Sequence, residues 1–525
     1  MGAARTHRVA ILVGLITLVG LVLRLIQFEQ SLVGDELSTL WIVDNNGLAG
    51  TLRVVASDAE ITPPLSFILS WFAHQFGSAP ELVRLPSLIV GTASIPLLYD
   101  LGRRTVGRNA GLVAAAVFAL SPLMTSFAAN GRAYALLVFF LLLSTIAMLK
   151  ACETGSRWWW VAYGLASCLA MYTHYTAAFV LIAQLVWVLW LVPKGRIPAL
   201  LANVGAAVLF VPWLPNLFKD FESPTTVVLA GLQGSGFTAK RINVEQWAFG
   251  NPIIDPKQMP GLFLMGLITI GLLIGTFFSI RAFRNRRPPV SAAGNKAWVV
   301  PHSLVLILAI AVATFVGEVI TGLAGTDLLG ARNMTASWYG LALAIGALVT
   351  IPGGTVAIVC TVLVLGGYGL ASAKLLRPEN SVVDFKGPAR VIDAESGPGD
   401  IVVDIFAAIT TPVPTTPLDI QLEAELPTYN LNLPNTPPPF LPNSDTVILP
   451  PEDEISEAFS EARGHTVFML VPDLLTVEDA DTSGRKLKDP LLIGRSVLLP
   501  ENATITDIQS FDGTIRPNLY TIEVE

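Results

Sequence analysis

Apolar residues along this chain come in blocks. From Met1 to about Ala373, runs of roughly 15 to 25 mostly apolar residues alternate with short polar links, each long enough or nearly long enough to cross a ~30 Å hydrocarbon layer. The pattern predicts spans near 10–28, 83–100, 110–128, 134–150, 158–172, 176–192, 197–216, 260–280, 300–322, 334–350 and 353–373. The stretch "PLSFILSWFAHQF" (64–76) is also apolar but short for a span and carries His74, so it predicts an interfacial or re-entrant helix. After about Pro378 the pattern becomes acidic, proline-rich and alternating. Residues 1–375 are therefore expected to form a polytopic α-helical membrane domain, and 376–525 a small soluble α/β domain. In the latter, "DFKGPARVIDAES" has helical spacing, while "GDIVVDI", "DTVILP", "HTVFMLVPD", "RSVLLP" and "LYTIEVE" read as strands. The proline-rich stretch 410–444 reads as an extended excursion between them.

Composition agrees with this reading. The 525 residues are 52% hydrophobic and 14% charged, with mean hydropathy +0.60, which excludes an ordinary soluble domain. Three cysteines, Cys152, Cys168 and Cys360, fall in or beside apolar segments, so no disulfide framework or thiolate metal site is expected. The chain starts basic, as a signal peptide does, but its apolar part is long and no small-residue cleavage site follows cleanly. It is expected to be retained as the first span.

Charge sorts by side. Lys and Arg accumulate in short cytoplasmic loops, and Arg5 and Arg8, "GRRTVGR" (102–108), Lys150 to Arg157, "PKGR" (193–196) and "RAFRNRR" (281–287) all fall on one side of the expected topology. Lys374 and Arg377 are mild exceptions. About eleven crossings place the N-terminus in the cytoplasm and the C-terminal domain outside it. The polar residues with chemical potential then gather on the extracytoplasmic side: Asp35, Glu36, Asp44, Asp58 and Glu60, then Arg132 and Tyr134, then His174, then Asp327 and Arg332. Arg132, Tyr134 and His174 stand at or within the ends of apolar segments, where an ionisable group is expensive and usually lines a cavity. Plainer readings stand beside these. Glu60 reads as part of a solvated turn ahead of Pro63 and Pro64; Arg84 reads equally as a snorkelling interfacial arginine; Tyr134 and His174 need no function as interfacial residues.

His74, His174 and His302 show no ligand spacing, so no metal is demanded, although the acidic pairs of the first loop could bind a divalent cation. "GLQGSGF" (231–237) follows no credible strand and is not read as a nucleotide loop. Segment 219–258, the longest link in the membrane part, is expected to act as a lid, with Trp247 and Phe249 placed to stack on sugar or to rest on lipid. Asn333 and Asn502 begin N-x-T sequons that are discounted in a chain of bacterial character.

The order of motifs resembles a known family, the PMT-like GT-C glycosyltransferases, which include protein O-mannosyltransferases, lipid A aminoarabinose transferases and family 39-like bacterial proteins. The resemblance rests on "GDELST" (34–39), "ITPPLSF" (61–67), "LVRLPSLIVGT" (82–92), "LLYDLGRRTVGRNAGL" (97–112) and "SPLMTSFAANGRAY" (121–134), and more loosely on "YTHYTAAFVLIAQ" and "DFKGPARVIDAESGPGDIVV". Asn130 and Gly131 depart from the acidic-Ala pair usual before the arginine, and "ARNMT" (331–335) matches only in part.

The resemblance implies a GT-C fold of about eleven transmembrane helices with juxtamembrane helices, in a bacterial cytoplasmic membrane. It implies inverting transfer of a single sugar from a polyprenyl-phosphate donor to an extracytoplasmic acceptor, whether glycolipid, cell-wall glycan or protein, with no cofactor required and no nucleic acid partner. Asp35 matches the position of the family's catalytic aspartate, with Glu36 beside it; Asp58, Arg132, Tyr134, His174, Arg332 and Arg84 are the substrate-binding candidates. The chemistry is compatible, since such a transfer needs one base for the acceptor proton and positive charge to hold the leaving phosphate. "GDELSTLW" also reads as a helix start with Asp35 as N-cap. Two rival readings are a transporter or flippase of lipid-linked sugars, against which stands the lack of a visible internal repeat, and a non-catalytic membrane scaffold.

Overall fold

The computed structural model describes residues 2–57, 60–223, 234, 236–285, 301–405, 417–430, 452–487, 491–493 and 496–525. Contacts divide the chain into two units: Met1–Phe28, Asn46–Ser78 and Leu82–Leu376 form one, and Glu29–Asn45, Ala79–Glu81 and Arg377–Glu525 the other. The segment 29–45, assigned to the membrane domain on sequence pattern, thus groups with the C-terminal part.

In chain order the helices begin α1 (Gly2–Phe28), α2 (Asp35–Asp44, in the second unit), α3 (Leu48–Val55), α4 (Leu65–His74), α5 (Leu85–Thr105), α6 (Arg108–Ala119) and α7 (Pro122–Ala128). They continue α8 (Tyr134–Thr154), α9 (Arg157–Thr173), α10 (Ala177–Leu191), α11 (Arg196–Phe210), α12 (Leu214–Glu222) and α13 (Phe237–Phe249). The first unit closes with α14 (Leu262–Asn285), α15 (His302–Leu323), α16 (Trp338–Thr350) and α17 (Gly354–Leu375).

Each of the eleven expected spans falls on helix. Among the described residues seven helical stretches are long and apolar enough to cross a membrane, eight if α6 and α7, bent by 63° at their junction, count as one. The break at Leu120–Ser121 has a local cause: Ser121 Oγ accepts from Met124 N (3.3 Å) and Pro122 occupies the first helical turn, so α7 starts afresh with its own cap. The remaining expected spans are α9, α10 and α16, of 17, 15 and 13 residues. The stretch 64–76 is the ten-residue α4.

Exposed apolar side chains line the outer faces of the long helices, for example Leu18, Val204 and Leu273 at 55%, 59% and 63% exposure. Inside, α8 and α16 are largely buried, and Trp338, Tyr339 and Tyr163 are fully so. One buried polar group pairs with the next there, which lowers the cost of burial: Thr145 Oγ1 lies 2.9 Å from Tyr339 Oη, and Gln184 Nε2 donates to Thr145 Oγ1 (2.9 Å). Arg24, fully buried on α1, donates through one terminal nitrogen to the carbonyls of Gly20 (2.8 Å) and Ala119 (3.4 Å). That sets a cation against the carboxyl end of α6, where the helix dipole favours it.

Among its described residues the second unit holds α18 (Lys386–Glu395), α19 (Glu452–Glu461), α20 (Ala480–Ser483) and eight strands, β1 (Ile401–Asp404), β2 (Thr428–Asn430), β3 (Thr466–Pro472), β4 (Thr476–Glu478), β5 (Leu491–Ile493), β6 (Ser496–Leu498), β7 (Ala503–Ser510) and β8 (Pro517–Val524). Five of them form a mixed sheet in the order β2-β1-β3-β8-β7, parallel at β2-β1-β3 and antiparallel beyond; β4-β6-β5 form a second sheet. Strand β1 is buried along its whole length, as a central parallel strand must be. The strands expected in "GDIVVDI", "HTVFMLVPD", "RSVLLP" and "LYTIEVE" appear as β1, β3, β6 and β8, whereas "DTVILP" lies outside the described residues.

Candidate functional site

The carboxylate pair of the first loop sits where backbone geometry puts it. Gly34 adopts φ 57° and ψ −126°, a region open to glycine, and turns the chain into α2. Asp35 is consequently the first residue of the helix and not its N-cap, which is Gly34 and makes no side-chain cap bond. The two neighbours differ sharply: Asp35 is exposed, whereas Glu36 is 2% exposed. Both lie in the first turn of α2, where partial positive charge favours carboxylates. Asp58 lies outside the described residues.

In the helical unit, the loop between α7 and α8 presents Arg132. Its backbone is fixed: Ser87 Oγ donates to Arg132 O at 3.1 Å, and a Cβ on Gly131 would come within 2.9 Å of Val83 Cγ2. Glycine at 131, a departure from the family pattern, thus lets the loop press against Val83. The Arg132 guanidinium binds Glu60 through two parallel bonds, of 2.8 Å to Oε2 and 3.1 Å to Oε1, and reaches Thr62 Oγ1 at 3.2 Å. Glu60 Oε1 also accepts from Ile61 N (3.0 Å) and the Thr62 hydroxyl (2.9 Å). Phe67 lies 5.4 Å below the guanidinium. Arg132 and Glu60 are 9% and 7% exposed, so Glu60, read from sequence as a solvated turn residue, is instead half of a buried fork-to-fork pair. Only a partner four elements away distinguishes the two readings.

The other candidates converge on the same region. Tyr134 opens α8 and is 8% exposed; its ring lies 4.4 Å from that of Phe127 and 5.7 Å from His174. His174 ends α9 in extended backbone, and its Nδ1 accepts from Thr176 N (3.3 Å), so the neutral ring carries its proton on Nε2. Burial, with the positive charges of Arg132 and Arg332, pushes the His174 pKa down to about 4. The imidazole is therefore a neutral donor at physiological pH. Arg332, partly buried, stands in a loop braced by Lys240, which pairs with Asp327 (2.7 Å) and donates to Leu329 O (3.3 Å), and by Asn333 Nδ2 donating to Leu328 O (2.6 Å).

Next to His174, the Tyr175 hydroxyl donates to Asp220 of α12 and accepts from Trp213 Nε1 (3.1 Å). Burial, Asp220 and the charge of Glu60 all raise the Tyr175 pKa above that of a free phenol. Lys219 of α12 donates to Ala56 O at 3.4 Å, tying that helix to the first loop. Glu60, Thr62, Tyr175, Trp213 and Asp220 were not singled out as site residues on sequence; "YTHYT" offered a polar signal, but Asp220 gave none. A cavity of about 230 Å³ lies between α9, α10 and α11, lined by Met171, Ala178, Leu181, Ile182 and Phe210 among others, with Met171 and Ala178 within one turn of His174.

Arg84 is 3% exposed and donates to Phe28 O at 2.7 Å, tying the start of α5 to the end of α1. It is a buried arginine, not a snorkelling one. Trp247 and Phe249 pack against the apolar core, Trp247 at 8% exposure, so α13 is docked there and offers neither ring as a free platform. Its anchors are Trp338 Nε1 to Trp247 O (2.8 Å) and Tyr368 Oη to Ala248 O (2.7 Å). Of the segment expected to form a lid, residues 224–233 and 235 lie outside the described residues. No group of three or more His, Cys, Asp or Glu side chains able to hold a metal ion occurs among the described residues.

The helical unit is thus a polytopic helical body with a partly buried cluster of polar and charged side chains at its helix ends. Residues 61–216 match the family described as dolichyl-phosphate-mannose-protein mannosyltransferase, which places this segment among PMT-like proteins. The matched stretch contains Thr62, Arg132, Tyr134, His174 and Tyr175, with Glu60 one residue ahead of it. Two proteins of Bacillus subtilis (strain 168), YkcB and YycA, both named as candidate mannosyltransferases, are 37% and 33% identical over 101 and 97 residues. These stretches are 19% and 18% of this chain and only 14% of each relative's length. Among solved structures, ArnT from Cupriavidus metallidurans in its apo state aligns over 99% of this chain and 98% of its own, at 16% identity and TM-score 0.43. The same protein bound to undecaprenyl phosphate gives 15% and 0.44 over 98% of both chains. The archaeal oligosaccharyltransferase AglB from Archaeoglobus fulgidus, in complex with an inhibitory peptide and a dolichol-phosphate, gives 11% and 0.46 over 75% of this chain and 59% of its own.

Proposed function

We propose that this protein is an inverting membrane glycosyltransferase that moves one sugar from a polyprenyl-phosphate donor to an acceptor hydroxyl on the extracytoplasmic side. The observation that carries the reading is the buried Arg132 fork, with bonds of 2.8 and 3.1 Å, together with the Tyr134 and His174 rings 5.7 Å apart and Arg332 acting on His174 through its charge, within or beside a segment of PMT-like sequence. Two guanidinium groups and an N–H donor suit a phosphate whose charge grows as it leaves. The cavity that begins within one turn of His174 is apolar, as an isoprenoid tail would require.

In this reading the acceptor oxygen attacks the sugar's C1 and the bond from C1 to the phosphate oxygen breaks, its electron pair passing to the phosphate. Arg132 and Arg332 hold that charge, His174 donates through Nε2, and Tyr134 orients a sugar hydroxyl. Asp35 takes the acceptor proton. Its assignment rests on the family resemblance and on its exposure at the start of α2, and such a base contributes about 10²–10⁴ in rate. No cofactor is required.

The test is sugar transfer by the purified full chain in nanodiscs, with radiolabelled polyprenyl-phosphate sugars, a membrane lipid extract as acceptor, and parallel reactions with a chelator. Wild-type transfer from one donor, lost in Asp35→Asn while donor binding persists, is the expected result. No transfer from any donor would overturn the reading, and transfer surviving the substitution would remove Asp35 as base.

A further inference from the structure

We infer that Glu60 is a stand-in for the donor's phosphate: it fills the Arg132 fork when the site is empty, is displaced when the lipid phosphate arrives, and returns to help expel it. The inference rests on the proposed lipid-phosphate reading of the site and adds a residue whose role is exchange. Four observations carry it. The pair is bidentate, at 2.8 and 3.1 Å, which is the geometry a guanidinium also offers to phosphate. Both groups are nearly buried, so carboxylate and phosphate cannot both occupy the fork.

The third observation is that the two partners differ in how they are held. Arg132 is anchored through its backbone by Ser87 and by the close packing of Gly131 on Val83. The bonds described for Glu60, apart from those to Arg132, come from the adjacent Ile61 and Thr62. The carboxylate can therefore swing away with its own short turn while the arginine stays. Fourth, Thr62 Oγ1 donates to Glu60 and accepts from Arg132. Once Glu60 leaves, that hydroxyl is available to donate to a phosphate oxygen.

The charges fit a cycle. A phosphodiester donor carries about one negative charge, as Glu60 does, so its entry conserves the charge facing Arg132. The leaving polyprenyl phosphate is a monoester that carries about 1.5 to 2 negative charges near pH 7. It is held more tightly than the donor, which would slow turnover. A competing carboxylate opposes that.

The test measures binding of farnesyl phosphate and, as control, farnesol to the full chain in detergent, for wild type, Glu60→Gln and Glu60→Asp, with unfolding midpoints to establish folding. Glu60→Gln should bind farnesyl phosphate about tenfold more tightly, equivalent to about 1.4 kcal/mol, with farnesol unchanged. Glu60→Asp, which keeps the charge but shortens the reach, should lie between and serves if the glutamine variant does not fold. In transfer assays, Glu60→Gln should lower kcat and KM together, the pattern of relieved ground-state competition with slowed product release. Wild-type binding of farnesyl phosphate that is unchanged or weakened in both variants would overturn the exchange while leaving the lipid-phosphate site standing. Equal affinity of wild type for farnesyl phosphate and farnesol would overturn both.

Discussion

The Arg132–Glu60 pair makes a stability prediction independent of any substrate. Replacing Arg132 by methionine keeps the apolar stem over Phe67 but deletes the guanidinium, leaving a carboxylate of 7% exposure without its two shortest charged contacts. Stranding one member of a buried pair costs about 3–5 kcal/mol, whereas removing both members together is often close to neutral. Two bonds from Ile61 and Thr62 remain on Glu60, which puts the expected loss toward the lower end, about 3 kcal/mol. Arg132→Met should therefore be strongly destabilising and Arg132→Met with Glu60→Gln should recover most of the loss. The coupling between the two positions should be at least about 2 kcal/mol. The assay is equilibrium unfolding of purified protein in mixed micelles on titration with sodium dodecyl sulfate, run for the four members of the cycle. Single losses below about 1 kcal/mol that simply add would match an exposed pair and refute the buried cluster on which the phosphate-binding reading depends.

Two further outcomes follow from the same cluster. The His174 pKa of about 4 lies below the ordinary 6.5, so the unfolded chain binds the extra proton first; stability present above pH 6.5 should fall as pH drops toward 4, by at most about 3 kcal/mol, and His174→Gln should remove that slope. In a ¹³C-histidine titration, Arg332→Gln should move the His174 midpoint upward by deleting one of its two repelling charges, and an unmoved midpoint would place Arg332 too far away to act on the same phosphate. Tyr175→Phe withdraws the hydroxyl that donates to Asp220 and accepts from Trp213, an expected loss of about 1–3 kcal/mol in the same unfolding assay; a variant as stable as wild type would mean that bond contributes nothing.

What the sequence revealed and what it hid divide along the length scale of the interaction. The apolar blocks were legible because lipid-crossing helices must be apolar over a fixed length, and each falls on helix, but α9, α10 and α16 are shorter than the seven or eight stretches long enough to cross a membrane. Where a segment is interrupted, the signal was local too, since Ser121 and Pro122 start a new helix in the middle of the block 110–128. Arg132, Tyr134 and His174 could be picked out because polar groups at the ends of apolar runs are rare. Glu60 stood among the external acidic residues but read as a solvated turn residue, because its neighbours ahead of Pro63 and Pro64 point that way and its partner is an arginine 72 positions later. Asp220 is the same case, joined to Tyr175 across 45 positions. Gly131 shows the converse: it departs from the family pattern, yet Val83 leaves no room there for a Cβ. The segment 29–45 carries the longest-range dependence: it groups with the second unit, and Ser31 Oγ accepts from Phe385 N (3.1 Å) while Lys386 Nζ donates to Glu29 O (2.8 Å), partners more than 350 residues away. The segment leading into the helix that bears Asp35 and Glu36 is thus tied to residues that follow it by more than 350 positions, within the second unit.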